Sequence, residues 1–95
     1  MSDLNDLNDL DDLDNLRDKI DEIDDKIVKL LLDRFAVVKN VAEYKKARGL
    51  EILQKSREAE ILQKISAKTD NYSEYKKYIL KIYADILETS KSSQV

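Results

Sequence analysis

Cysteine, histidine, proline and tryptophan are all missing from this 95-residue chain, and glycine occurs once, at Gly49. Without cysteine there can be no disulfide framework and no thiolate nucleophile. Without histidine the chain lacks the commonest metal ligand and the usual general base at neutral pH. These absences exclude most hydrolytic, zinc-dependent and redox chemistry, so we expect neither a metal nor a cofactor.

Long hydrophobic runs are missing as well. No uninterrupted apolar stretch approaches the roughly 20 residues that a membrane-spanning helix needs. The N-terminus also lacks the basic and apolar segments of a secretory signal. We therefore expect a cytoplasmic protein that does not contact membranes.

Charge is plentiful but unevenly distributed. Asp, Glu, Lys and Arg make up 39% of the chain, a composition typical of amphipathic helices when mixed with Leu, Ile and Val. Residues 1–16 contain six aspartates and no basic residue, so residues 17–95 carry 17 basic and 14 acidic side chains. This mild positive balance is too weak to predict nucleic-acid binding, but it suits a small anionic ligand.

Two sequence patterns meet near residue 15. In residues 1–15 leucine recurs at every third position among Asp and Asn, a spacing that drifts around a helix and cannot form one apolar stripe. We interpret this segment as a frayed or partly ordered acidic extension, although acidic side chains favour a helix start and leave a helical conformation open. Residues 16–95 are expected to form one helical domain.

The first predicted helix of that domain runs from Leu16 to about Arg48. Apolar residues recur along it at intervals of three and four, which is the period of an amphipathic helix. Gly49 follows, and glycine can adopt the left-handed conformation that ends many helices at no steric cost. The pattern therefore predicts a sharp helix end at Gly49.

Two shorter helices are predicted after it, which makes the fold class all-α with three helices. The second begins near Ser56, a candidate N-cap, and ends near Lys68. The third begins around Asn71, which is separated from Glu74 as in a capping box, and continues towards the C-terminus.

The length of the first helix predicts self-association. At ~1.5 Å per residue it would extend for roughly 50 Å, whereas a compact monomer of this size has a radius of gyration of about 12 Å. Much of its apolar face would remain in water in a single copy. Pairing of two copies along this helix would cover that face, so we expect an intertwined homodimer.

Cations on the first helix are candidate ligand-binding groups. Arg34 and Lys45 are eleven positions apart and so project from one side of the predicted helix, with Val38 and Val41 between them. That arrangement suits a small dianion, although such a pair taken alone is more often a solvated charged face. Arg17 is too far along the helix to share a ligand with Arg34 of its own chain, but it could reach the partner's site in an antiparallel dimer.

The shorter helices carry further candidates. Arg57 and Glu58 open the second helix, where an anion would also meet free backbone N–H groups. Ser90 and Gln94 are four residues apart and are therefore neighbours on one face of the third helix. Each of these signals is weak by itself.

Taken together, these residues resemble the all-helical chorismate mutase family (chorismate mutase type II) from Leu16 to Gln94. The resemblance is carried by the runs LRDKIDEIDDKIVKLLLDR, VAEYKKARGLEI, SREAEIL and YADILETSKSSQ. Gln54 occupies a substrate-binding position where the family usually has aspartate, and glutamine is a poor N-cap. The other motif positions are matched by Arg17, Arg34, Lys45, Arg57, Glu58, Ser90 and Gln94.

The resemblance implies an isomerase that rearranges chorismate to prephenate in the biosynthesis of Phe and Tyr, a branch of the shikimate pathway. It implies no cofactor, because the rearrangement is intramolecular and needs no nucleophile. Lys45 and Gln94 would donate to the ether oxygen of the substrate, and Glu58 would accept from its hydroxyl group. The two substrate carboxylates would be bound by Arg34, Arg57 and the partner's Arg17, with Ser90 as a further donor.

Two alternatives remain open at this point. An isochorismate pyruvate-lyase has a similar fold and cationic pocket, so shared arginines and lysine do not distinguish it from a mutase. A non-enzymatic helical dimerisation module, with the acidic N-terminal segment as its interaction surface, would not need the motif residues together.

Overall fold

The structure, a computed structural model, describes residues 10–52 and 55–94. Within these ranges the chain forms three α-helices and no strand, which confirms the predicted all-α class. Among residues 10–52 and 55–94, none of the helices has the length and hydrophobicity that a membrane-spanning segment needs. The helices are α1 (Leu10–Ala47), α2 (Lys55–Lys68) and α3 (Ser73–Gln94).

The start of α1 differs from the prediction. The helix begins at Leu10 and not at Leu16, so residues 10–15 of the expected extension are helical, while residues 1–9 lie outside the described residues. Asp12 and Asp14 lie near the positive end of the helix dipole, where carboxylates are stabilising. Adding residues to an existing helix also costs much less than nucleating one. Acidic residues can therefore extend α1 despite their low helix propensity.

The end of α1 agrees with the prediction to within one residue. Gly49 has a φ of 69°, the left-handed conformation that was expected there. The Leu50 amide donates to the Lys45 carbonyl at 2.9 Å, and the Gly49 amide donates to the Lys46 carbonyl at 3.2 Å. This pair of bonds is the Schellman motif, which satisfies carbonyls that the end of a helix leaves without partners.

The predicted N-cap of α2 is wrong. The helix begins at Lys55, so Ser56 lies inside its first turn. Ser56 cannot be the N-cap, because the N-cap residue flanks the helix and precedes its first helical residue. Glu58 in the same turn is favourable to the helix dipole.

The predicted start of α3 is also displaced. Asn71 lies in the turn between α2 and α3, and the carbonyl of Tyr72 accepts the first helical hydrogen bonds of α3, from the amides of Tyr75 and Lys76. The amide of Tyr72 donates in turn to the carbonyl of Thr69 at 2.9 Å. Backbone hydrogen bonds of the turn thus determine this boundary, and they were not visible in the capping-box spacing.

The chain divides into two compact units, and the boundary between them lies between Arg34 and Phe35. Residues 12–34, in the first unit, contain no buried side chain. Their large exposed apolar side chains are Leu13, Ile20, Ile23, Ile27, Val28, Leu30 and Leu32.

The second unit contains the helical hairpin in which α2 packs on α3. A turn of only four residues, 69–72, joins the two helices, so they run antiparallel. Partly buried Ile61, Leu62 and Ile65 form the apolar face of α2. The described residues of this unit that are buried are Ala42, Thr69, Leu87 and Ser90.

Candidate active site

Lys45 is held at the end of α1 by a backbone group. Its side chain is partly buried, and Nζ donates to the carbonyl oxygen of Ile52 at 3.0 Å. Ile52 lies three residues before the start of α2. The lysine that was predicted to donate to the substrate therefore contacts Ile52, shortly before α2 in the sequence.

Arg57 and Glu58 lie in the first turn of α2, as predicted. Arg57 is half exposed and pairs with Glu60 of the same helix. Glu58 is more shielded, and its Oε2 lies 3.4 Å from Nζ of Lys91 in the last turn of α3. This ion pair joins the beginning of one helix to the end of the next.

Ser90 and Gln94 lie in the last turns of α3. Ser90 is only 6% exposed, so it is a core residue of the hairpin. Gln94 is the last residue of α3 and is partly buried. Because α2 and α3 are antiparallel and Glu58 contacts Lys91, the predicted groups on both helices lie at the same end of the hairpin. The structure thus brings Arg57 and Glu58 to the end that carries Ser90 and Gln94.

Arg17, Arg34 and Gln54 are the remaining predicted site residues. Arg17 is exposed, and its guanidinium lies 3.9 Å from a carboxylate oxygen of Asp14. Arg34 is partly buried. Gln54 lies outside the described residues. The assignment of these three to a substrate site remains a prediction.

Lys91 was missed by the sequence analysis. Hydrogen bonding to Glu58, followed by the attraction of the Glu58 and Glu88 carboxylates, raises the pKa of Lys91 above its ordinary value. The sequence did contain a signal for this contact, namely an acidic residue in the first turn of α2 and a basic residue in the last turn of α3. These two turns meet in any antiparallel hairpin of the two helices.

The chemistry available at this end of the hairpin is recognition of an anion. Guanidinium, ammonium, hydroxyl and amide groups can all donate to carboxylate or ether oxygens, and Glu58 supplies an acceptor. Within residues 10–52 and 55–94, no group of three or more carboxylates is arranged to hold a metal ion. The arrangement favours binding of a small polar anion through hydrogen bonds.

Comparisons with known proteins agree with this chemistry. The family model for chorismate mutase type II matches residues 16–95. Searches of curated proteins and of solved structures give no match. Because the family model covers most of the chain and includes every predicted site residue, this chain belongs to the chorismate mutase type II family.

Proposed function

We propose that this protein is a chorismate mutase that converts chorismate to prephenate. Membership of the chorismate mutase type II family supports the proposal. The observation that carries it further is that Arg57 and Glu58 of α2 lie at the end of the hairpin that bears Ser90 and Gln94 of α3. These are four of the polar residues that the family motif requires.

The proposed reaction is a Claisen rearrangement within one molecule. A C–O bond of the ether breaks while a C–C bond forms, and no proton, electron or group passes to the protein. Negative charge develops on the ether oxygen as the C–O bond breaks. Lys45 and Gln94 would donate hydrogen bonds to that oxygen, and preorganised donors of this kind lower the barrier.

Substrate positioning is the second task of the site. The reactive conformer brings the ends of a flexible dianion together, so a rigid set of partners removes an entropic barrier. Arg34 and Arg57 would bind the carboxylates, because a guanidinium can make two parallel hydrogen bonds to a carboxylate. Ser90 would add a donor, and Glu58 would accept from the ring hydroxyl.

The proposal includes a homodimer in which the partner's Arg17 completes each site. The exposed leucine and isoleucine side chains of residues 12–34 support it, because a single copy leaves them in water at a cost of about 25 cal/mol per Å². A two-fold symmetric pair is the commonest arrangement that covers such a face. The role of Arg17 itself is transferred from the family motif, as is the substrate contact of Gln54.

In the cell, we place this activity in the cytoplasm and in the biosynthesis of Phe and Tyr. The cytoplasmic assignment rests on the sequence prediction, and the biosynthetic one rests on the family resemblance.

The test is to assay the purified protein with chorismate and, separately, with isochorismate. Loss of chorismate absorbance with formation of prephenate is the expected result. Release of pyruvate from isochorismate with no turnover of chorismate would instead indicate a pyruvate-lyase. Inactivity on both substrates, in protein that is helical and dimeric, would favour the non-enzymatic dimerisation module.

A further inference from the structure

The Glu58–Lys91 ion pair connects two helices. Its atoms are 3.4 Å apart, whereas the pairs Arg57–Glu60 and Lys64–Glu60 each lie within α2. An ion pair within one helix contributes little to tertiary structure. The Glu58–Lys91 pair instead fixes the position of the first turn of α2 relative to the last turn of α3.

Shielding from water also distinguishes this pair. The side chains of Glu58 and Lys91 are 33% and 31% exposed, against 55% and 64% for Glu60 and Lys64. Less exposed charges are screened less by water and salt, so their attraction is stronger. The side chains of Glu58 and Lys91 are therefore held in place more firmly than those of Glu60 and Lys64.

The contact with Lys91 leaves the Glu58 carboxylate able to accept further hydrogen bonds. Lys91 contacts Oε2 of Glu58, and a carboxylate has two oxygens that together accept about four hydrogen bonds. Oε1 can therefore accept from a ligand while Oε2 stays paired. An unpaired glutamate has three rotatable side-chain bonds, and ordering it on binding would cost free energy.

Lys91 is also close to Ser90 and Gln94, the other polar residues of α3 at this end of the hairpin. It follows Ser90 in sequence and is three residues before Gln94, so Lys91 and Gln94 are neighbours on the surface of α3. Its second carboxylate contact, to Glu88 at 3.6 Å, is on the same helix, and the Glu88 side chain is 70% exposed. Glu88 therefore offers a matched control that contacts Lys91 without linking the helices.

We infer that Lys91 is a positioning residue that holds the Glu58 carboxylate ready to accept a hydrogen bond from the ring hydroxyl of the substrate. The inference rests on the proposed function and adds a residue that the family motif did not supply. The ring hydroxyl is not changed by the rearrangement, so its hydrogen bond is made equally in the ground state and in the transition state. Loss of such a bond raises KM much more than it lowers kcat.

The experiment compares Lys91→Met, Lys91→Arg and Glu88→Gln with the wild-type protein, using chorismate and an analogue that lacks the ring hydroxyl. We expect Lys91→Met to raise KM for chorismate by about tenfold, with kcat changed less than about threefold. Lys91→Arg should restore most of the affinity, and Glu88→Gln should behave as wild type. The analogue should bind wild type and Lys91→Met equally, because it makes no hydrogen bond to Glu58.

The outcomes separate the inference from the proposed function. A wild-type protein that is inactive on chorismate overturns both. An active wild type with an unchanged KM in Lys91→Met overturns the inference alone, as does an equal loss for chorismate and the analogue, which would indicate a merely structural role. If Lys91→Met does not fold, Lys91→Gln keeps a polar group on the exposed part of the side chain and provides the same comparison.

Discussion

Nζ of Lys45 lies 3.0 Å from the carbonyl oxygen of Ile52, so the lysine proposed to stabilise the transition state is also a structural tie. A substitution at Lys45 will therefore remove two interactions. The two effects differ in size. An intramolecular hydrogen bond contributes about 1 kcal/mol to stability, whereas a preorganised donor to developing charge is worth about 3–4 kcal/mol in the reaction.

We predict that Lys45→Ala lowers kcat by about 10²–10³-fold while the protein remains folded. The measurement is kcat with chorismate, together with the free energy of unfolding in urea. Lys46→Ala is the matched control, because Lys46 is the next residue of α1 and is exposed. Equal activities of the two variants would remove Lys45 from the mechanism.

Complementation tests whether the sites are composite. Arg17→Ala and Arg34→Ala should each lose at least about tenfold in activity, because each would remove a guanidinium that we propose to bind a substrate carboxylate. Mixing the two proteins and allowing subunit exchange should restore about a quarter of the wild-type activity, since half of the dimers are mixed and each mixed dimer has one intact site. Activity is followed as the mixture equilibrates. A mixture that stays as inactive as its components would mean that Arg17 and Arg34 act within one chain.

If the exposed apolar face of residues 12–34 forms the proposed dimer interface, a charge introduced on it should weaken the dimer. Ile27 is 48% exposed in the single chain. We expect Ile27→Asp to weaken the dimer by at least about 100-fold, because dimerisation would bury two unpaired carboxylates. Sedimentation across a range of protein concentrations measures this effect. Asn40→Asp adds the same charge elsewhere on α1 and should sediment as wild type.

Substitution of Gly49 tests whether the residue that ends α1 has a left-handed conformation. A Cβ at this position would meet no atom within 4 Å, so the cost of substitution comes from the left-handed backbone at a φ of 69°. Gly49→Ala should therefore lower the free energy of unfolding by about 1 kcal/mol. Gly49→Asn should cost less, because asparagine tolerates this conformation better than alanine does. Urea unfolding at one fixed protein concentration compares them, and an unchanged stability in Gly49→Ala would contradict the left-handed assignment.

Local sequence signals predicted the three helices and the end of α1, but they placed the start of α1 six residues too late and gave the wrong caps for α2 and α3. Gly49 marks the end of α1 because a positive φ is a property of one residue, readable without tertiary structure. The start of α3 depends on hydrogen bonds that involve Thr69 and Tyr72 within a turn, so the Asn71 spacing was misleading. The Glu58–Lys91 contact was missed because it exists only once α2 and α3 pack antiparallel. Motif matching finds residues that a family shares, and Lys91 is not among those motif residues.

Stability at alkaline pH tests the Glu58–Lys91 pair independently of catalysis. Hydrogen bonding and attraction from Glu58 raise the pKa of Lys91 in the folded chain, so the folded state holds this proton more tightly than the unfolded state. The stabilisation is therefore fully present below the ordinary pKa of an unfolded lysine and is lost as the pH rises through the higher folded value. Arginine stays charged throughout this range.

Lys91→Arg should accordingly lose less stability than wild type between pH 8 and pH 11, in urea unfolding at a fixed protein concentration. Effects of pH elsewhere in the chain are common to both proteins and cancel in the comparison. Lys91→Met, which has no charge at this position, should also lose less than wild type over that range, from a lower starting value. Parallel curves for all three proteins would show that the contact between Glu58 and Lys91 contributes nothing to folding.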